Sequence, residues 1–273
     1  MSVLLMTVWL TGCVQEELGS TPSPAGNGIR FTLTVPDVNL PSVSSRTMTG
    51  AGTAKKEDEI ETVDILVFDA SKTPAVYLEW VTATGVTQDL ADNSTVSFSA
   101  KLPFTTASTC IVVVANRELD DIVSGFKKGV TTKVEAMEKM LHTQTGKWLA
   151  DGSTTGGYTR IPMYGEKVIN KITPSMEPIT GINMKRMLAR IDIHNNSVTS
   201  NFTVEEVYLA NYNTTGYIAP PWNTNGQVTE PAPDTPVLPA NSGKMTEEGD
   251  AILYSVKGNT PYDGEIYTFE SLA

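Results

Sequence analysis

The strongest constraint on the fold is a strict alternation of apolar and polar residues at positions 29–35, which read Ile-Arg-Phe-Thr-Leu-Thr-Val. Successive side chains of a β-strand point to opposite faces, so a period of two predicts a half-buried strand. Pro36 ends the pattern, because proline has no N–H group to donate to a neighbouring strand. The side chains predicted to face the interior are Ile29, Phe31, Leu33 and Val35.

Further apolar or alternating segments recur along the chain and are separated by residues typical of turns. They predict strands at 60–69, 76–82, 95–102, 110–115, 187–194, 202–212, 251–256 and 265–269. Residues 110–115 are apolar throughout, which predicts a central strand that is buried on both faces. Many short strands joined by turns are typical of a β-sandwich, so we expect a mainly β fold.

One segment predicts a helix instead. Thr132 and Glu135 have the spacing of a capping box, in which the two side chains satisfy N–H groups at the start of a helix. Apolar residues then follow at helical intervals, at Val134, Met137, Met140 and Leu141. This pattern predicts a single amphipathic helix over residues 132–144 in the first half of the chain.

The length of 273 residues favours two domains. We expect a leader and linker at 1–28, an N-terminal β-sandwich domain at 29–177 and a C-terminal β-sandwich domain at 178–273. The last predicted strand runs almost to Ala273, so the second domain is expected to be incomplete. Residues 213–250 are rich in Pro, Gly, Asn and Thr and predict a long surface excursion.

The N-terminal residues are typical of an exported lipoprotein. Residues 3–10 form an apolar run of the length found in signal peptides, too short for a membrane span. The sequence Leu-Thr-Gly-Cys at 10–13 resembles a bacterial lipobox, in which the Cys13 thiol would carry the lipid. The polar residues 15–28 would then form a tether. No Lys or Arg precedes the apolar run, so we expect the natural start to lie upstream of Met1.

The reactive side chains argue against an enzyme. The two cysteines, Cys13 and Cys110, are too few for a disulfide framework or a cysteine metal site, and Cys110 is expected to be a buried, inert thiol. His142 and His194 are far apart in sequence, and both are predicted to lie at the surface. No nucleophile elbow, P-loop, dinucleotide fingerprint or zinc-protease motif occurs. We therefore expect no catalytic residues, no cofactor and no metal.

The net charge of −11 disfavours nucleic-acid partners, which require a basic face. Adjacent acidic pairs occur, but neighbouring side chains on a strand point to opposite faces and cannot form a catalytic carboxylate pair. They are interpreted as solvated charge. The acidic composition fits a protein outside the cell.

Several segments, taken in order, resemble the Bacteroidales fimbrillin family, also called type V pilins. The order and spacing of these segments over residues 10–212 carry the resemblance. The segments are the lipobox at 10–13, Ser45-Arg46-Thr47, the strand at 60–69, Val113-Val114-Ala115-Asn116, Ile161-Pro162-Met163-Tyr164-Gly165-Glu166, and residues 185–193.

The resemblance implies two transthyretin-like β-sandwich domains and assembly into fimbriae at the cell surface and outer membrane. In this family an arginine-specific protease removes the N-terminal strand, and a strand from a neighbouring subunit replaces it. In this chain, Arg46 would be the cleavage site, Thr47 the new N-terminus and residues 29–35 the displaced strand. The implied partners are other fimbrial subunits in a head-to-tail polymer, the outer membrane through the lipid before processing, and an adhesion target on host or bacterial cells.

A second hypothesis is a lipid-anchored surface protein that binds a glycan or host ligand and does not polymerise. Aromatic side chains on an exposed platform would favour it, and Tyr217 and Trp222 are the residues that suggest one. The fimbrial hypothesis instead requires that removal of the first strand leave an open groove, which a strand from another subunit would fill.

Overall fold

The structure is a computed structural model that describes residues 28–35, 56–89, 95–144, 146–149, 159–193, 204–221, 237–240, 242, 251–255 and 262–270. These residues form a mainly β protein of the β-sandwich type, with two short α-helices and a 3-10 turn at Lys56–Asp58. The helices are α1 (Asp120–Val123) and α2 (Lys133–Glu138). The strands are β1 (Ile29–Thr34), β2 (Val63–Asp69), β3 (Val76–Thr82), β4 (Thr84–Gln88), β5 (Thr95–Ala100), β6 (Thr109–Ala115), β7 (Leu141–Thr143), β8 (Met163–Ile169), β9 (Ile179–Asn183), β10 (Lys185–Arg186), β11 (Ala189–Ile193), β12 (Glu206–Leu209), β13 (Thr215–Tyr217), β14 (Ile252–Ser255) and β15 (Tyr262–Thr268).

The N-terminal half is a sandwich of two sheets. The outer sheet has the strand order β4-β5-β1-β9, and the central sheet has the order β10-β8-β6-β2-β3. One apolar core lies between them, where the inward residues of β1 and β5 pack with Ile65 and Val67 of β2 and with Ile111 and Val113 of β6. This core holds the first strand against the rest of the domain.

A second core covers the opposite face of the central sheet. Leu66 of β2 and Val112 of β6 belong to it, together with Met137 of α2 and the C-terminal residues Ile218 and Phe269. Alternate residues of β2 and β6 therefore enter different cores, as the period of a strand requires. Every residue of β6 is buried, which confirms the sequence prediction of a central strand covered on both faces.

The C-terminal half contributes shorter pairings among the described residues. Strands β11 and β15 pair with each other, β12 pairs with β14, and β13 pairs with β7 of the N-terminal half. Tyr212, Ile252, Tyr254 and Ile266 form a small third core. Because β13 and Phe269 pack onto the N-terminal half, the two halves share buried surface.

The predicted helix over 132–144 is too long. Its capping box is present, since the Thr132 hydroxyl accepts from the Glu135 N–H at 3.2 Å and the Glu135 carboxylate accepts from the Thr132 N–H at 2.8 Å. The helix nevertheless ends at Glu138, and Leu141–Thr143 form β7. Pairing with β13 gives this backbone a partner that the local helical period cannot reveal.

The predicted boundary between residues 177 and 178 lies too early. Strand β9, which that boundary assigns to the second domain, pairs with β1 in the outer sheet, and β10 pairs with β8 in the central sheet. Residues up to Arg186 therefore belong to the N-terminal sandwich. The division into two domains itself stays a prediction.

Several predicted sites lie outside the described residues. They are the lipidation site Cys13, the processing site at Arg46 and Thr47, His194, Trp222 and most of the excursion over 213–250.

Candidate functional site

The first strand lies in the interior of the outer sheet. It pairs with β5 in an antiparallel ladder of six residue pairs, from Ile29 opposite Ala100 to Thr34 opposite Thr95. On its other side it pairs in parallel with β9, including Leu33 opposite Ile182. An interior strand uses its backbone hydrogen-bonding groups on both edges. Withdrawal of β1 would therefore expose two strand edges at once.

The inward side chains of this segment are almost completely buried. The exposed fractions are 6% for Ile29, 1% for Phe31, 0% for Leu33 and 1% for Val35. Arg30 and Thr34 between them are exposed. The burial confirms the alternation that the sequence predicts, and it places the four apolar side chains in the core between the two sheets.

The surroundings of β1 define a groove, which we call the β1 groove. One wall is β5, with Val96, Phe98 and Ala100 directed at the same core, and the opposite wall is β9, with Ile179 and Ile182. Its floor is the inner face of the central sheet. The groove accepts an extended segment through backbone hydrogen bonds along both walls and alternating apolar side chains on its floor.

The next described residues begin at Lys56, and their first side-chain contacts reach the C-terminal half of the chain. Glu57 is 4% exposed, and its carboxylate accepts hydrogen bonds from Arg190 at 2.9 and 3.1 Å. The hydroxyl of Tyr267 donates to the same carboxylate at 2.6 Å. Glu57 therefore joins the start of this segment to β11 and β15 of the C-terminal half.

The next residues are fixed by side chains from β10 and β4. Arg186 of β10 forms an ion pair with the carboxylate of Asp58. The side-chain amide of Gln88 donates to the Asp58 carbonyl at 2.7 Å and accepts from the Ile60 N–H at 2.9 Å. The backbone of the segment is thus held on the side of the outer sheet.

A third set of contacts comes from the central sheet. Asn116, which follows β6 with a φ of 59°, donates to the carbonyls of Glu59 at 2.8 Å and Ile161 at 3.0 Å. Its side-chain oxygen accepts from the Glu61 N–H at 3.0 Å. Arg160 lies 3.2 Å from Glu59 and 2.6 Å from Glu61. We call residues 57–61 the anchor segment.

The sequence did not reveal this anchor segment. Glu57, Asp58 and Glu59 occur in a stretch that reads as an exposed loop, and no periodic signal distinguishes Glu57 from its neighbours. Its partner Arg190 is 133 residues away in sequence. The segment's partners Asn116, Arg186 and Arg190 do lie in segments that resemble the fimbrillin family, but nothing in the sequence links them to residues 57–61.

A buried ion pair lies on the other face of the central sheet. Lys133 of α2 and Glu166 of β8 are 2.8 Å apart, with side-chain exposures of 0% and 2%. Burial raises the pKa of the Glu166 carboxyl, and the ammonium group of Lys133 partly opposes that shift. Burial also raises the pKa of the neighbouring Cys110 to about 12, so this thiol is inert, as the sequence predicted.

His142 is not the surface residue that the sequence predicted. It is half-buried in β7, with its ring centroid 5.2 Å from that of Trp148 and 6.4 Å from that of Phe269. Its Nε2 is buried and has no hydrogen-bond partner. Burial lowers the pKa of His142, and the positive charge of Arg117 lowers it further. The missed signal is the pairing of β7 with β13, which carries the ring into the interface between the halves.

The described residues contain neither a candidate metal site nor a candidate membrane-spanning helix. Within them, no group of three or more His, Cys, Asp and Glu side chains is placed to hold a metal ion. No helix in the same residues is long and apolar enough to cross a membrane. Tyr217, suggested as part of an aromatic platform, is half-buried in β13.

The N-terminal sandwich has the sequence pattern of a known family. Residues 29–185 match the sequence model for the major fimbrial subunit protein (FimA), and this range covers more than half of the 273-residue chain. The chain belongs to the major fimbrial subunit family. The matched range begins at the first residue of β1 and ends within β10, so it coincides with the two-sheet sandwich.

Solved structures show more remote similarity to this chain. A candidate cell-adhesion protein from Parabacteroides distasonis is 16% identical with a TM-score of 0.46, over 90% of this chain and 71% of that one. A fimbrial assembly protein from the same species is 13% identical with a TM-score of 0.39, over 87% and 88% of the two chains. A comparison with curated proteins gave no match.

Family membership gives this chain a fimbrial or adhesion role and a location at the cell surface. It confirms the resemblance to the fimbrillin family that the sequence segments carry. The family is one of structural proteins rather than enzymes.

Proposed function

We propose that this protein is a structural subunit of cell-surface fimbriae that is assembled by strand exchange. It is exported as a lipoprotein attached through Cys13, a protease cleaves after Arg46, and β1 leaves the outer sheet. A strand from a neighbouring subunit then occupies the β1 groove. The observation that carries the proposal is the interior position of β1, with four nearly completely buried side chains in one short segment.

The energetics support a strand whose loss must be compensated. Burial of one such apolar side chain contributes about 1.5–3 kcal/mol, so the four together contribute roughly 6–12 kcal/mol as an upper estimate. The free energy of unfolding of a whole domain is only about 5–15 kcal/mol. A subunit without β1 is therefore poorly stable until another strand fills the groove.

The contacts of the anchor segment support removal of β1 alone. The segment is held by β4, β10, β11, β15 and Asn116, through side-chain hydrogen bonds and ion pairs. None of these contacts uses a residue of β1. Cleavage after Arg46, between β1 and the anchor segment, would release the strand and leave the anchor segment fixed to the domain.

Strand exchange between subunits also accounts for a polymer. A subunit that receives a strand on one surface and donates one from another makes a head-to-tail contact, and such contacts build open filaments. The proposed partners are therefore other fimbrial subunits, with the outer membrane as an earlier attachment and an adhesion target on host or bacterial cells.

The test is the mature N-terminus of protein recovered from the cell surface, measured by mass spectrometry. We expect a chain that begins at Thr47, and we expect Arg46→Lys to prevent that cleavage and reduce the number of filaments seen by negative-stain microscopy. Arg30→Lys, at an exposed position of β1, is the matched control and should leave both unchanged. An acylated Cys13 on protein within filaments would overturn the processing step. The same terminus without filaments would favour a lipid-anchored binding protein.

A further inference from the structure

The inward positions of β1 face partners of different size. Ile29 lies opposite Ala100, and Leu33 lies opposite Val96. Phe31 lies opposite Phe98, the only aromatic partner among the three. Directly opposite residues on antiparallel strands have Cβ atoms about 4.5–5.5 Å apart, so each partner restricts what fits across from it. The β1 groove therefore presents different surfaces at successive positions.

The aromatic pair is tightly matched. The ring centroids of Phe31 and Phe98 are 4.9 Å apart, and the ring planes differ by 7°. This is an offset stack, an arrangement that stabilises aromatic pairs beyond the burial of their surface. Both side chains are almost fully buried, with exposures of 1% and 3%. A smaller side chain at position 31 would leave the face of the Phe98 ring without close contacts.

Strand β5 has a second neighbour on the edge away from β1. It pairs with β4, which places residues opposite Val96, Ser97 and Ser99, with a register irregularity beside Phe98. The backbone on either side of Phe98 therefore keeps a pairing partner when β1 leaves, and we expect the ring to stay within reach of an incoming strand.

The pairing also fixes the register of an incoming strand. A shift by two residues would move its aromatic side chain opposite Ala100 or Val96, and a shift by one would turn its apolar side chains away from the core. At the start of the groove, a Cβ atom at Gly28 would lie 3.3 Å from the Cβ of Ser99. A bulky residue at that position would thus be resisted.

We propose that Phe98 is the specificity-determining residue of the β1 groove. The strand that replaces β1 carries an aromatic side chain at the position of Phe31, aliphatic side chains at the inward positions on either side, and a small residue at the position of Gly28. This inference rests on the proposed strand exchange and adds the kind of partner strand that the groove accepts, namely a segment of another subunit with this pattern.

The test uses peptide competition on the full chain. A specific protease site is inserted between residues 36 and 55 and cut, so that β1 remains bound as a separate peptide. Synthetic peptides of residues 28–35 then compete with a labelled copy, and fluorescence polarisation reports their relative affinities. One variant carries Phe31→Leu, and a second combines Phe31→Leu with Leu33→Phe, which keeps the composition and moves the ring by two positions.

We expect the Phe31→Leu peptide to bind about tenfold more weakly than the natural sequence, and the exchanged peptide to bind at least as weakly. A Thr34→Ser peptide, altered at an exposed position, is the matched control and should bind normally. Equal affinity of all four peptides would overturn the role of Phe98 and leave strand exchange intact. Failure of every peptide to exchange would overturn both proposals.

Variants of the groove distinguish the contribution of Phe98 from that of its neighbours. On a Phe98→Leu chain, the preference for the natural peptide over the Phe31→Leu peptide should fall from about tenfold to about twofold. On a Val96→Ala chain, the preference should persist. Because each value is a ratio of two peptides on the same protein, a general loss of stability affects both alike. A preference that is unchanged on the Phe98→Leu chain would show that Phe98 does not select the strand.

Discussion

The segments on the two sides of residues 36–55 are held by different kinds of interaction. On the N-terminal side, β1 and the adjoining Val35 are held by backbone pairing and by four buried apolar side chains. On the C-terminal side, the anchor segment is held by ion pairs with three arginines, one of them to the buried carboxylate of Glu57, and by the side chains of Gln88 and Asn116. Apolar pairing accepts any strand of suitable pattern, whereas directed polar contacts require these particular residues. The strand that we propose to be exchanged and the segment that we propose to stay in place are therefore held by different kinds of interaction.

The largest expected effect concerns the apolar side of this comparison. Phe31→Ala in the full chain removes a ring that is 1% exposed and leaves a cavity beside Phe98, so we expect a loss of about 3–5 kcal/mol in the free energy of unfolding. Urea denaturation measures this loss. Thr34→Ala, at an exposed position of the same strand, should change it by less than about 0.5 kcal/mol. If both variants were equally stable, β1 would not be part of the cooperative core.

The buried ion pair on the other face of the central sheet should be almost as sensitive. Lys133→Met leaves Glu166 buried without its cation, which in buried pairs costs about 3–5 kcal/mol. We expect the lower end at neutral pH, because burial already raises the pKa of Glu166 and the group can take up a proton. The loss should shrink further as the pH is lowered, and thermal unfolding at several pH values would show it.

The double variant Lys133→Met with Glu166→Leu provides the control for that experiment. It replaces both charges with apolar side chains of similar size, so the free energy of unfolding should return close to that of the natural chain. A double variant as unstable as Lys133→Met alone would mean that the loss comes from altered packing of α2 rather than from an unpaired charge.

A smaller effect is expected at the anchor segment. Glu57→Gln removes the charge that accepts two hydrogen bonds from Arg190, and hydrogen bonds to charged groups contribute about 1.5–3 kcal/mol. Tyr267→Phe, which removes one hydroxyl donor, should cost about 1 kcal/mol. Neither variant should alter the relative affinities of peptides for the β1 groove. A change in peptide preference would show that the two segments are coupled and would break the comparison.

The two segments also differ in how far the sequence predicts them. The alternation of residues 29–35 records which side chains face the core, and both the strand and its burial follow from it. The capping box was equally predictable from the sequence, because its partners Thr132 and Glu135 are only three residues apart. Glu57 and Lys133 were not predicted to be buried, because their partners Arg190 and Glu166 are brought to them only by the complete fold.

Strands β8 and β9 were missed for a related reason. Gly165 and Glu166 interrupt the apolar pattern of β8, and Gly181, with a φ of 70°, interrupts that of β9. The structure explains Gly165, since a Cβ atom there would lie 2.8 Å from a methyl group of Ile182 and 2.9 Å from the carbonyl of Asn183. The glycine allows β9 to approach the central sheet, and this approach places β9 as a wall of the β1 groove. Close contact between layers thus required a residue that weakens the sequence signal for a strand.

The smallest expected effect concerns His142, which lies where the two halves meet. A variant of this residue tests whether acid weakens the contact between the halves rather than the packing of β1. Burial and Arg117 hold the pKa of His142 below its ordinary value of 6.5, so folding favours the neutral ring between Trp148 and Phe269. The neutral ring contributes its full stabilisation above a pH of about 6.5. This contribution is lost as the pH falls through the lower pKa that His142 has in the folded chain. His142→Phe keeps a ring at this position without a proton to bind. The melting temperature of the natural chain should therefore fall more steeply than that of His142→Phe between about pH 7 and about pH 5. Parallel curves would mean that the imidazole does not titrate differently in the folded and unfolded chains, and acid lability would then have to arise among the carboxylates instead.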